Sequence, residues 1–230
     1  MNTVICNPAI GLIERPFGVH FSEPDADDRA EIERFIGDVF YRAYGAKIKR
    51  FKPCLMSLRD RDHKLVAACG FRNAVPGPLF LETYLDQPIE AVLAEHVGFP
   101  VMRHDIVEVG NFSVIEPGMA RYLITAINDH LHDTSNQWAV FTAVQSLRNT
   151  FARLHMCTLM LRDAGKGRLP PEDRAEWGSY YAQKPQVMAI QRIERRLKPR
   201  DPETHIPAAG KPEHTAGMRC QICGMILKKK

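Results

Sequence analysis

Glu108 has the clearest claim to chemistry in this sequence. It sits in the run Ile106-Val107-Glu108-Val109, where its neighbours are apolar. Burying a carboxylate costs several kcal/mol unless it is paired or does something. Two outcomes satisfy that cost. One is a structural ion pair, for which Arg72 and Arg103 are the candidate partners. The other is proton acceptance, which suits a carboxyl whose pKa burial has raised toward neutrality. Asn111 and Ser113 follow on the same strand and could hydrogen-bond a ligand, or could satisfy a local bulge. The turn Glu116-Pro117-Gly118-Met119-Ala120-Arg121 then leads into a helix. Exposed amides at a helix N-terminus take phosphate, and Arg121 would add a charge. Arg72, Glu82 and Tyr84 are polar side chains around an apolar loop, placed either to line a substrate pocket or to fix that loop. Trp177, Tyr180 and Tyr181 form an aromatic group that either packs or walls a cavity. Arg42 and Tyr44 close a helix, and its end reads as solvated.

These residues need elements to hold them. Residues 106–114 read as a strand, 119–131 as an amphipathic helix and 138–144 as a second strand of the buried, continuous apolar kind. Residues 146–155 read as a second helix and 157–161 as a third strand. Strand, helix, strand, helix, strand predicts parallel pairing with crossover helices. Upstream, 26–44 has helical spacing, with Asp25 or Asp27 as its cap and Gly45 as its stop. Residues 46–53 form a basic linker carrying Lys47, Lys49, Arg50 and Lys52. Strands are expected at 54–58 and 65–71, joined by a polar turn. Leu79–Leu81 reads as extended, 88–96 as a short helix and 186–193 as the last strand. Prolines 199, 202, 207 and 212 then dilute the chain, which cannot bury enough apolar surface to order itself there. The expected division is one domain over 1–199 and a flexible tail over 200–230.

Composition narrows the function. With 45% hydrophobic and 25% charged residues the chain reads as a soluble globular protein. The net charge of +4 is concentrated in 192–200 and in the closing lysines, so no basic face for nucleic acid is expected. No apolar run approaches the roughly 20 residues of a membrane helix. The first residues lack the basic and apolar regions of a signal peptide. A cytoplasmic protein with no stable membrane insertion is expected. The scattered Cys54, Cys69 and Cys157 fit reduced, buried thiols. Cys220-x-x-Cys223 with His205 and His214 matches no zinc spacing, so no metal is expected.

The 104–161 order resembles the core of the GNAT acyltransferase fold, in which a strand, loop and helix hold coenzyme A. Asn149 in the run Ser146–Met156 stands near the Asn that opens the following helix in that fold. The wording is closer still to the thermostable hemolysin family. The residues carrying that resemblance are 70–74 (GFRNA), 79–90 (LFLETYLDQPIE), 106–113 (IVEVGNFS), 138–143 (WAVFTA), 147–154 (LRNTFARL) and 177–187 (WGSYYAQKPQV). Its expected architecture is similar to that of the acyl-homoserine-lactone synthases, in which the region of Arg42 and Tyr44 closes over the acceptor, so the resemblance implies a mobile lid there as the alternative to a solvated helix end. The resemblance implies an α/β fold with a GNAT-like mixed central sheet of six or seven strands flanked by helices. It implies transfer of an acyl group from acyl-CoA or acyl carrier protein, as co-substrate and with no permanently bound cofactor, to a small amine. Glu108 would be the base, with Asn111 and Ser113 on the thioester. Gly118, Met119, Ala120, Arg121 and Asn149 would hold the donor, and Arg72, Glu82, Tyr84 and Phe141 the acceptor. The 116–121 turn has one glycine where the fold usually has more, and a carrier-protein donor would depend on it less. Phe151 stands where many GNAT enzymes place a tyrosine, and it has no proton to give. The rival readings are a directly membrane-active hemolysin and a GNAT scaffold without catalysis.

Overall fold

Three residues one turn apart, Ile32, Ile36 and Phe40, build the first helix. They form one apolar stripe and are buried. In a computed structural model of the protein this helix, α1, runs Arg29–Tyr44. It stops at Gly45, whose φ of 66° is the left-handed conformation that glycine adopts without strain. It starts later than the spacing suggested. Asp28, rather than Asp25 or Asp27, stands at its N-cap, and without a capping side-chain bond. The structure describes residues 16–192, together with Met218–Arg219 paired to Ile226–Leu227. The rest of the expected 200–230 tail, with Cys220 and Cys223, lies outside the described residues.

Seven strands form one sheet. They are β1 (Gly18–Ser22), β2 (Cys54–Arg59), β3 (Leu65–Asn73), β4 (Ile106–Val114), β5 (Trp138–Ala143), β6 (Leu159–Asp163) and β7 (Gln186–Gln191), in the order β1-β2-β3-β4-β5-β7-β6. β1 to β4 pair antiparallel, and β4 pairs β5 in parallel. The expected run of parallel pairs stops there. β7 inserts between β5 and β6 and is antiparallel to both.

The remaining helices are α2 (Ile89–Val97), α3 (Ala120–His132), α4 (Gln145–Arg153) and the single turn α5 (Pro171–Arg174). Alternation along the strands separates the two faces. Val107, Val109, Ala139 and Phe141 meet α3 and α4 through Leu123, Ile124, Ile127 and Phe151. Ile106, Trp138 and Val140 face the other way, toward Leu81, Tyr84 and α2, and α1 packs beside them on that side. Phe80–Tyr84 is a 3-10 turn, not the extended segment expected from its apolar residues. The Glu82 carboxylate folds it by accepting from the Leu79 amide at 2.6 Å. Cys54 and Cys69 are free as expected, while Cys157 takes part in a disulfide.

Candidate functional site

The parallel pairing of β4 with β5 covers Ile106↔Trp138 to Val109↔Phe141 and then ends. Beyond Val109 the strands part. On the other side of β4 the register jumps from Gly70↔Gly110 to Ala68↔Ser113, so β4 carries one extra residue. Asn111 lies in that bulge with φ 53°. A cavity of about 700 Å³ occupies the parting. Glu108 and Val109, which point to opposite faces of the sheet, both line it, so it connects the two faces.

Glu108 is 3% exposed. The Leu81 amide donates to its Oε1 at 3.0 Å, and the Phe80 amide donates to its Oε2 at 3.2 Å. The Lys52 ammonium donates to the same Oε2 and completes a buried ion pair. The partner is thus neither Arg72 nor Arg103. Arg103 is held elsewhere, by Glu82 at 2.8 Å and Glu90 at 2.6 Å. A carboxylate has about four acceptor positions, and three are taken.

Lys52 was legible only as part of a basic linker, yet the fold is built around it. Gly70 and Gly110 face each other across β3 and β4, and the Lys52 side chain lies over both. A Cβ at either glycine would stand 2.6 Å from a Lys52 carbon. The backbone of Lys52 is fixed from two sides. Arg29 donates to the Lys52 carbonyl at 2.8 Å and to that of Pro53 at 2.7 Å. The Lys52 amide donates to Asn111 Oδ1 at 2.9 Å. Burial lowers the Lys52 pKa most, the Glu108 charge and hydrogen bond oppose that, and the charge of Arg72 lowers it further.

The other expected site residues divide. Arg72, Tyr84, Asn111, Ala120 and Phe141 line the cavity with Glu108. Ser113, Glu82, Gly118, Met119, Arg121 and Asn149 do not. Ser113 is buried and donates to the Asn111 carbonyl at 3.1 Å. The Asn111 side chain is itself engaged by the linker, at Lys52 and at the Arg50 carbonyl. Glu82 takes the loop-fixing role, since it also caps α2 through the Ile89 amide at 2.9 Å. Arg121 stacks on Tyr122, and Asn149 is exposed and accepts from Gln145. Phe151 is buried against Phe141, with ring centroids 5.0 Å apart.

Trp177 and Tyr180 do both things expected of them. They pack, and they line the cavity together with Phe40, Tyr44 and Phe80. Tyr181 joins this group, and its hydroxyl meets that of Tyr84 at 2.5 Å. Burial raises the pKa of Tyr84, Tyr180 and Tyr181, the last to about 12. Gly178 makes the docking possible. It has φ 47°, and a Cβ there would fall inside the Tyr44 carbonyl oxygen. The Ser179 amide bonds that oxygen at 2.8 Å. The end of α1, where Arg42 and Tyr44 were expected to form a lid or a solvated end, is therefore tied at Tyr44 to residues 178–179.

A seven-stranded mixed sheet, opened between a parallel pair and backed by helices, is the GNAT-like acyltransferase fold. Two solved structures share it. The AHL synthase LasI aligns over 77% of this chain and 90% of its own, with TM-score 0.52 and 10% identity. FeeM, an N-acyl amino acid synthase from uncultured soil microbes, aligns over 76% and 90%, with TM-score 0.51 and 13% identity. The sequence profile of the thermostable hemolysin family matches residues 22–195, and the chain belongs to that family. No curated protein sequence matches it. Among the described residues no helix is long and apolar enough to cross a membrane, and no three potential ligands gather to hold a metal.

Proposed function

We propose that the protein is an N-acyltransferase that moves an acyl group from acyl-CoA or acyl carrier protein to a small amine. The observation that carries this reading is the parting of β4 from β5 at Val109 and Phe141, with a cavity that runs through it and reaches Glu108. Past Val109 the β5 side of β4 has no strand partner among the described residues, so a thioester carbonyl laid there can accept from the strand's own backbone. The donor enters from the α3 face. Pro117 and Ala120, at the start of that helix, border the cavity, and the first amides of α3 suit its phosphates. The amine comes from the Glu108 face. It attacks the carbonyl carbon, the C–S bond breaks, and the thiolate leaves. The amine proton goes to the acceptor position still open on Glu108 Oε1. Phe151 supplies no proton to the thiolate, and a thiol pKa is low enough for it to leave unprotonated.

The names of the two solved structures, an AHL synthase and an N-acyl amino acid synthase, support acyl transfer to nitrogen. An N-acyl product with a polar head and a long chain would be amphiphilic, which reconciles the hemolysin family name with an acyltransferase fold. A cytoplasmic site of synthesis fits this reading. The test is incubation of the purified protein with acyl-CoAs of graded length, or with acyl carrier protein, and a mixture of amines. Thiol release and a new amide mass should appear together. If no thioester binds and no thiol is released, the reading fails and the scaffold alternative replaces it.

A further inference from the structure

Arg72 lines the cavity, yet among the described residues its guanidinium makes no hydrogen bond or ion pair. Other arginines of the fold show how unusual that is. Arg29 holds the Ser22, Lys52 and Pro53 carbonyls and Glu33, Arg103 holds two glutamates, and Arg148 holds two carbonyls. Position does not explain it. Arg72 on β3 stands directly opposite Glu108 on β4, and opposite charges facing each other across an antiparallel pair ordinarily join. Here Lys52 and two backbone amides already hold that carboxylate. The guanidinium is left beside Gly77, where a Cβ would lie 3.7 Å from it. It is close enough to Lys52 to disfavour that side chain's charge. Two cations thus stand at the wall of a partly desolvated cavity where one buried anion pairs with Lys52 alone, and the local charge calls for a second anion.

We propose that Arg72 binds the carboxylate of the acceptor, and that the acceptor is an α-amino acid. This rests on the acyl-transfer reading above. The side of the sheet decides against a donor phosphate as the missing anion. Arg72 and Glu108 share the face opposite α3, whereas donor phosphates would lie at the α3 N-terminus. Spacing fits as well. Facing residues in an antiparallel pair have Cβ atoms about 5 Å apart. In an α-amino acid the carboxylate and the nitrogen hang from one carbon. A carboxylate gripped by Arg72 therefore puts the amine beside Glu108, and the side chain rests on Phe80 and Trp177.

The experiment compares a panel of amino acids with the matching amino-acid amides and decarboxylated amines. Binding is read by calorimetry and turnover by thiol release, with the wild type, Arg72→Gln and Arg72→Lys. Amino acids should bind and react about 10–100-fold better than their amides, the worth of a charge-assisted pair. Arg72→Gln should abolish that preference and Arg72→Lys restore part of it. Both variants should keep the wild-type thermal midpoint, because the guanidinium has no partner to lose. Equal use of amino acids, amides and amines would overturn the proposal and leave acyl transfer standing. Arg72-dependent amino-acid binding with no turnover from any thioester would keep this site and overturn acyl transfer. Absence of amino-acid binding in calorimetry, whatever the turnover, sinks the proposal.

Discussion

Glu108→Gln is the substitution an enzymologist would make first, and the structure says it will not be mild. Glutamine keeps the shape but replaces one acceptor oxygen with an NH2 donor. Both Glu108 oxygens accept and neither faces an acceptor. Oε1 takes the Leu81 amide, and Oε2 takes the Phe80 amide and Lys52. Whichever way the new amide turns, its NH2 points at a backbone N–H. One buried donor left unmatched costs about 1–3 kcal/mol. Removing the anion beside a buried Lys52 is the larger effect, about 3–5 kcal/mol for breaking such a pair. Together they come to about 4–8 kcal/mol, and at about 2–4 °C per kcal/mol for a chain of this size the thermal midpoint should fall by about 8–32 °C. Adding Lys52→Met should recover most of the pair's share, because the stranded cation goes too, and leave about 1–3 kcal/mol from the mismatched amide. Urea unfolding of the four proteins in the cycle, with the m-value checked for constancy, measures this. A Glu108→Gln midpoint within about 2 °C of wild type, or additivity in the cycle, would refute the buried pair. Activity measured on the single variant alone would not separate a lost base from a disturbed Lys52.

Two further outcomes follow from the aromatic end of the cavity. Gly178→Ala adds a Cβ against the Tyr44 carbonyl at a positive φ, so it should destabilise by about 1–3 kcal/mol and loosen the end of α1, read as faster amide exchange at residues 44–46. Tyr84, Tyr180 and Tyr181 have folded pKa values raised above the unfolded value of about 10. Their stabilisation is complete below that pH and is lost as pH rises from there through the folded values, so the midpoint should drop in alkali. Tyr84→Phe/Tyr181→Phe removes both hydroxyls of the 2.5 Å pair and should flatten the drop; an unchanged alkaline profile would contradict it.

The elements that could be read from sequence were those whose signal is local. Ile32, Ile36 and Phe40 repeat at helical spacing, and Trp138–Val144 is a short apolar run between turns, so α1 and β5 were placed within a few residues. Phe80–Tyr84 misled because Leu79, Phe80 and Leu81 are apolar without period; its turn is set by Glu82 folding back on Leu79. Glu108 was found because a carboxylate among valines is conspicuous. Its partner was not, because Lys52 lies 56 positions upstream in a linker and meets Glu108 only once β3 and β4 are side by side. The pair Gly70 and Gly110 was the available signal. Each interrupts an apolar strand, which marks close approach by something else. Strand order beyond β5 carried no local signal at all.

That order has a consequence for how the chain is made. β1 to β5 lie side by side in the order in which a ribosome delivers them, so each can pair as it emerges. β6 cannot. Among the described residues it pairs only with β7, and β7 also closes the edge of β5 along six residues from Trp138 to Ala143. Until residues 186–191 have been synthesised, β5 presents an unpaired apolar edge, the kind of edge through which nascent chains associate. The last strand of the seven-stranded sheet therefore acts as a keystone. Chains interrupted before it would lose two strands from the sheet, and nascent-chain lengths short of it are where a chaperone that covers apolar edges has its task.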